Sequence, residues 1–182
     1  MDKNLTPHEL TLYWLEEIVI GLDLCPFARH PHKMGLVRII ECESTNESDQ
    51  LSFFLDELDH LQQTSSSKLS TTLISYINDQ SDFSDFNDFV GLCEETLFEA
   101  GLVEHFQLLV FHPQFLLADE DPLHRSHWVG RSPYPTIHLL RNAEIEIALE
   151  SYADLIGIPA RNEQRLLNLK QLDFDKLFYY GT

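Results

Sequence analysis

The stretch Arg131-Ser132-Pro133-Tyr134-Pro135-Thr136-Ile137-His138-Leu139-Leu140-Arg141 gathers two guanidiniums, an imidazole, a phenol and two aliphatic hydroxyls in eleven residues. Ser132 and Tyr134 each precede a proline and are pushed towards extended backbone. Pro135 suits the first turn of a helix, and the pattern predicts a helix from Pro135 to about Tyr152. Tyr134 then sits at the cap, where it offers no suitable acceptor. The amides of Thr136, Ile137 and His138 become unsatisfied donors at the positive end of a helix dipole. Such a start seats a carboxylate or phosphate. Arg131 and Arg141 would clamp the anion, His138 would carry or orient a proton, and Ser132, Tyr134 and Thr136 would complete the ligand-binding set. On a helix, Tyr134, His138 and Arg141 share one face. A plainer reading has Ser132 capping an earlier start and Arg141 paired with a nearby carboxylate.

Two further residue types invite chemistry. His112 ends a predicted strand, in Phe111-His112-Pro113, and ligands of open α/β sheets bind beyond the carboxyl ends of strands. An imidazole there is a candidate general acid or base; it can equally bond backbone at the strand end. Cys25 precedes Pro26 with Arg29, His30 and His32 close by, neighbours that could lower its pKa and make it a nucleophile. A small buried thiol is the competing reading. His124 and His127 are three apart and His30 and His32 two apart, yet no H-E-x-x-H or C-x-x-C frame accompanies them, so no metal is assigned. Cys42 and Cys93 fall on core-facing positions and read as packing residues.

The elements that must position these groups follow from periodicity. Thr6-Pro7-His8-Glu9 is a capping box with proline at the first helical position, opening a helix from about Pro7 to Ile20 that Gly21 stops. Leu24 to Ala28 is a turn. Leu36 to Cys42 reads as a strand. A second helix places Leu51, Phe54, Leu55, Leu58 and Leu61 on one face and ends at Thr64-Ser65-Ser66-Ser67. Thr71 to Ile77 is a β-branched strand. A third helix carries Phe86, Phe89, Val90, Cys93 and Leu97 on one stripe, closed by Gly101, and His105 to Phe111 is the third strand. Residues 113–133 form a long loop of the kind that is usually functional or mobile. After the helix from Pro135, Gly157-Ile158-Pro159 is a break, Ala160 to Leu169 a last amphipathic helix, and Phe174 to Tyr180 an apolar tail that docks on the body.

This order predicts an α/β fold: a small parallel or mixed sheet of three to four strands with helices packed on it, and extra C-terminal helices. The 182 residues suit one domain over 1–182. It comprises a helical N-terminal segment 1–30, a β-α-β-α-β middle 36–112, and a loop with C-terminal helices over 113–182.

The formal net charge is −18, from 12 Lys and Arg against 30 Asp and Glu. A field of that sign repels phosphate backbones and anionic lipid, so nucleic acid and membranes are not expected partners. Residues 39–124 hold Lys68 as their one basic side chain against 18 acids. The arginines concentrate near Cys25 and from Arg125 onwards, which either marks an anion pocket or leaves the middle with ordinary acidic solvent faces. Met1-Asp2-Lys3-Asn4 begins no leader, no apolar run is long enough to span a bilayer, and three cysteines are an odd number for a disulfide framework. The expectation is an acidic cytoplasmic protein.

Several segments carry a resemblance. Trp14-Leu15-Glu16, Val19-Ile20-Gly21-Leu22 and Leu24-Cys25-Pro26-Phe27-Ala28 resemble the start of a bacterial family of uncharacterised proteins, the domain of unknown function fourteen-fifteen. Thr71-Thr72-Leu73-Ile74, Asp85-Phe86-Asn87-Asp88-Phe89, Phe106-Gln107, Phe111-His112-Pro113, the Arg131 to Pro135 run and His138-Leu139-Leu140-Arg141 match in order over nearly the whole chain. The resemblance implies no activity or cofactor. It marks Cys25, His112, Arg131, Ser132, His138 and Arg141 as positions to suspect. Gly130 stands where the family tends to have Asn, and Asn142 where it tends to have an acid.

The sequence therefore predicts an enzyme for a small anionic metabolite, bound by Arg131 and Arg141 with His112 or His138 moving protons. The alternatives are a non-catalytic binding or interaction module using the same pocket and a thiol enzyme centred on Cys25. A hydrolase with a metal on the loop histidines is more remote.

Overall fold

The computed structural model describes residues 5–79, 81–118, 120–150, 152 and 154–181; Met1 to Asn4, read above for a leader, lie outside them. The capping box forms as expected. The Thr6 hydroxyl accepts from the Glu9 amide, the Glu9 carboxylate accepts from the Thr6 amide, and α1 runs over Pro7–Tyr13. It continues without a break as a π-helix over Trp14–Ile20, a form associated with functional or strained segments. Gly21 is its C-cap, and only glycine fits there, because a Cβ would lie 2.3 Å from the Glu17 carbonyl oxygen. A short α2, Arg29–Lys33, leads to β1, Val37–Cys42.

The middle follows the expected order: α3 is Glu47–Gln63, β2 Thr71–Tyr76, α4 Phe83–Glu99 and β3 Phe106–Phe111. After a 3-10 turn at Arg125–Val129, the predicted helix from Pro135 is not there. Its first part is β4, Thr136–Arg141, and only Asn142–Glu150 is helical, as α5. The Pro-x-Pro run sets an extended course that continues into strand pairing, and proline immediately before a strand leaves no ladder bond unmade. α6 is Ile158–Asn168 and α7 Gln171–Leu177.

The sheet is mixed, in the order β1-β2-β4-β3. β1 and β2 are parallel, in the register Ile39 to Leu73. β4 lies between β2 and β3, antiparallel to both, with His138 opposite Leu73 on one side and Leu109 on the other. The carboxyl ends of β1, β2 and β3 and the start of β4 therefore share one edge of the sheet.

Each face of the sheet buries its own apolar layer. Phe54, Leu58 and Leu61 of α3 and Phe86, Phe89, Val90, Cys93 and Leu97 of α4 pack on Cys42, Ile74, Tyr76, Phe106, Ile137 and Leu139. On the other face Trp14, Leu15, Ile18, Val19 and Ile20 of the π-helix meet Leu73, Trp128, Leu166, Phe174 and Phe178. The apolar tail docks as expected, with the Phe178 ring 4.5 Å from that of Trp128. Among the described residues no helix is long and apolar enough to cross a membrane.

Candidate functional site

At the shared edge of the sheet lies a cavity of about 240 Å³, lined by Ile77, Asp79 and Ser81 after β2, His112, Pro113 and Gln114 after β3, and Pro133, Tyr134 and Pro135 before β4. Three chain segments that are distant in sequence meet there because β4 is inserted between β2 and β3. A second cavity of about 440 Å³, lined by Asp82, Phe83, Ser84, Asn87, Gln114 and Leu116, adjoins it through Gln114.

His112 is 2 % exposed. Its Nδ1 accepts from the Gln114 amide at 3.0 Å, which fixes the tautomer: a neutral imidazole carries its proton on Nε2. That Nε2 is buried and makes no hydrogen bond of full geometry, with the Ser81 peptide group as its polar neighbour. Burial pushes the imidazole below its usual pKa, with the peptide group of Ser81 and the carboxylates of Asp79 and Asp82 pulling the other way. Phe83 and Phe86 hold the ring, each 5.6 Å away. A buried polar atom without a partner costs free energy unless something else satisfies it.

Asp79 accepts from the Ser81 amide at 2.8 Å and from Gln50 Nε2 at 3.1 Å. The Ser81 hydroxyl is buried with no partner. Burial raises the Tyr134 hydroxyl pKa, and Glu41 and Tyr179 raise it further, so the phenol remains a proton donor. The turn that presents Tyr134 is locked by two hydroxyls on one carbonyl: Ser132 and Thr136 donate to the Tyr134 oxygen at 2.6 and 2.8 Å. Ser132 and Thr136 are buried and hold the turn; neither lines the cavity.

The anion seat predicted before Thr136 is absent. Thr136, Ile137 and His138 lie in the ladders with β2 and β3, so no helix dipole points at that spot. Strand periodicity also scatters the residues a helix would have aligned. His138 is about 10 Å and Arg141 about 20 Å along β4 from Pro135 at a rise of about 3.3 Å per residue. His138 Nε2 meets the Thr71 hydroxyl at 2.6 Å, and burial pushes its pKa down to about 4.

The arginines are spent on the protein itself. Arg141 donates to the carbonyls of Leu61, Thr64 and Leu69, closing the end of α3. Arg131 donates to the Phe115 carbonyl and lies 4.8 Å over the Trp128 ring. Arg29 caps the Ile20 carbonyl, Arg125 that of Leu169, and Arg165 pairs with Asp23. None of them lines either cavity. Cys25 also stays outside, against the apolar layer of the π-helix, and burial raises its thiol pKa, which favours the buried-thiol reading over a nucleophile activated by its basic neighbours. His127, weighed above as a metal ligand, is fully buried. It accepts from the Leu117 amide and bonds the Asp121 carbonyl, clasping the long loop. Among the described residues no three His, Cys, Asp or Glu side chains converge as metal ligands.

Of the residues singled out in the sequence, the cavity thus joins His112 and Tyr134. Asp79, Ser81 and Gln114 went unread. The strand-end rule that found His112 applies equally to Ile77-Asn78-Asp79 after β2, and was the signal available for Asp79.

A family model described as protein of unknown function (DUF1415) matches residues 7–176. No curated protein and no solved structure matches the chain significantly.

Proposed function

Because the chain belongs to the DUF1415 family of proteins of unknown function, its activity has to be read from its own site, and we propose that it is an enzyme that binds a small polar molecule at the strand-end cavity and moves a proton through His112. The observation that carries this reading is the convergence of an imidazole, a carboxylate and a phenol, those of His112, Asp79 and Tyr134, on one cavity at the strand ends. With Nδ1 already accepting from Gln114, the neutral ring offers an Nε2 proton to a ligand oxygen or nitrogen. Neutral imidazoles of depressed pKa polarise carbonyl oxygens in this way elsewhere. Tyr134 supplies a second neutral donor and Asp79 a carboxylate acceptor. A cavity of about 240 Å³ is smaller than drug-sized pockets and suits a compact metabolite.

The test is a screen of small metabolites followed by the imidazole and Tyr134 resonances of labelled protein. Ligands are expected to move both sets together. His112→Asn keeps an acceptor for the Gln114 amide but deletes the Nε2 donor; it should lose both binding and turnover. His112→Gln restores a donor near the Nε2 position and should recover binding without turnover. Ligands that bind the wild type and are never turned over favour a non-catalytic binding module, and ligands that move only residues outside the cavity overturn the site.

A further inference from the structure

We infer that the ligand has two parts, an inference that rests on the reading above: its polar end occupies the first cavity, and an apolar group about the size of one ring passes Gln114 into the second, between Phe83 and Leu116. Gln114 is common to both cavities and exposed, so a flexible side chain rather than packed core stands between them. Phe83 joins them from α4: it lines the second cavity, and its ring lies 5.6 Å from that of His112 in the first. The wall formed by the loop after β3 is fixed by its backbone. The Gln114 amide donates to His112 Nδ1 and the Phe115 amide to the His112 carbonyl. The Phe115 carbonyl accepts from Arg131, and the Leu117 amide donates to His127. Phe115 packs on Phe83, with ring centroids 5.1 Å apart. Leu116 stands between these anchored neighbours, yet is 45 % exposed. A leucine held out over a cavity by a bonded backbone, rather than left there by a loose loop, gains its burial when a ligand covers it. Asp82 is already engaged by the Ser84 and Asp85 amides, so the apolar surfaces of Phe83 and Leu116 are the main contact the second cavity offers. At about 440 Å³ it has room for a ring or a short branched chain.

Acetamide and benzamide share one polar end and differ in the apolar group. Each is titrated into the full chain, and the readout is the imidazole resonances of His112 with the methyl resonances of Leu116. Acetamide is expected to shift His112 alone. Benzamide is expected to shift both and to bind about tenfold more tightly, as the burial of a ring's surface implies. Leu116→Ser should weaken benzamide about fivefold and leave acetamide unchanged. Benzamide that moves Leu116 without His112, that binds no more tightly than acetamide, or that is indifferent to Leu116→Ser overturns the two-part ligand; acetamide shifts at His112 would then leave the first cavity standing. Should neither amide move His112, ligands from the metabolite screen take their place. Those that move His112 and Leu116 and weaken in Leu116→Ser support the second part, and those that move His112 alone overturn it. Silence from both amides, together with no ligand in the screen, overturns this inference and the reading beneath it.

Discussion

The indole Nε1 of Trp14 donates to the carbonyl oxygen of Arg131 at 2.9 Å, across 117 residues of chain. Trp14 opens the π-helix and Arg131 opens the turn that presents Tyr134, so this bond ties the first element of the fold to the wall of the cavity. The indole is 2 % exposed and packs edge-on against Phe111, 4.9 Å between ring centroids. Trp14→Phe keeps an aromatic ring and removes the donor. The expected cost is about 1–3 kcal/mol from the unsatisfied carbonyl and the lost volume, read from urea denaturation midpoints. Faster amide exchange should accompany it in the 131–135 turn.

His127 holds the long loop by two backbone bonds, from the Leu117 amide at 3.0 Å and to the Asp121 carbonyl at 2.8 Å. His127→Ala strands both groups and empties a fully buried volume. A loss of about 2–4 kcal/mol is expected, with proteolytic cleavage appearing first between residues 113 and 130. Unchanged stability and an uncut loop would show that the clasp is dispensable.

Arg141 separates a structural from a ligand-binding role. It serves three carbonyls at the end of α3 and just before β2, at the edge of the sheet opposite the cavity. Arg141→Met should lower stability by about 2–3 kcal/mol, as expected for losing charged hydrogen bonds to carbonyls. It should leave the response of His112 to ligands bound at the cavity intact. Loss of that response with full stability would restore the guanidinium to the ligand.

Some of this was legible in the sequence and some was not, for physical reasons. The stripes of Phe54, Leu58 and Leu61, and of Phe86, Phe89, Val90, Cys93 and Leu97, are local patterns of period 3.6, and they pack as written. The six residues of β4 carry no such pattern. Thr136 and Ile137 favour strand, Leu139 and Leu140 suit either state, and a real helix begins at Asn142. What decides is non-local: β2 and β3 each offer an unpaired edge that this segment fills. His112 was legible from its place at a strand end. Its meeting with Asp79 required knowing that β2 and β3 flank one inserted strand.

The buried His138 gives stability a pH dependence of definite sign. Its folded pKa is about 4 against an ordinary 6.5, so between those values the unfolded chain binds more protons. Stability is therefore fully present above about pH 6.5 and is lost as pH falls towards 4. Part of the residue remains accessible, which discounts the contribution to about 1–3 kcal/mol. Denaturation midpoints near pH 7 and near pH 5 should differ more in wild type than in His138→Asn. An equal slope in the two proteins would assign the acid sensitivity to other groups.

Gly130 packs directly against the Phe115 ring. A Cβ on residue 130 would lie 2.5 Å from the Phe115 ring, inside any tolerated contact. The Gly130 carbonyl also accepts from the His112 amide at 3.1 Å, so displacement at 130 is transmitted to the backbone of His112. Gly130→Ala should cost about 1–3 kcal/mol by overpacking and shift the His112 resonances in the absence of ligand. Phe115→Leu alone removes ring volume and destabilises on its own account. The two together should be less destabilising than the sum of the singles, because the shorter side chain vacates the space the new methyl requires. Additive losses in that double-mutant cycle would show that Phe115 moves aside freely and that the small residue at 130 is not what fixes the His112 backbone.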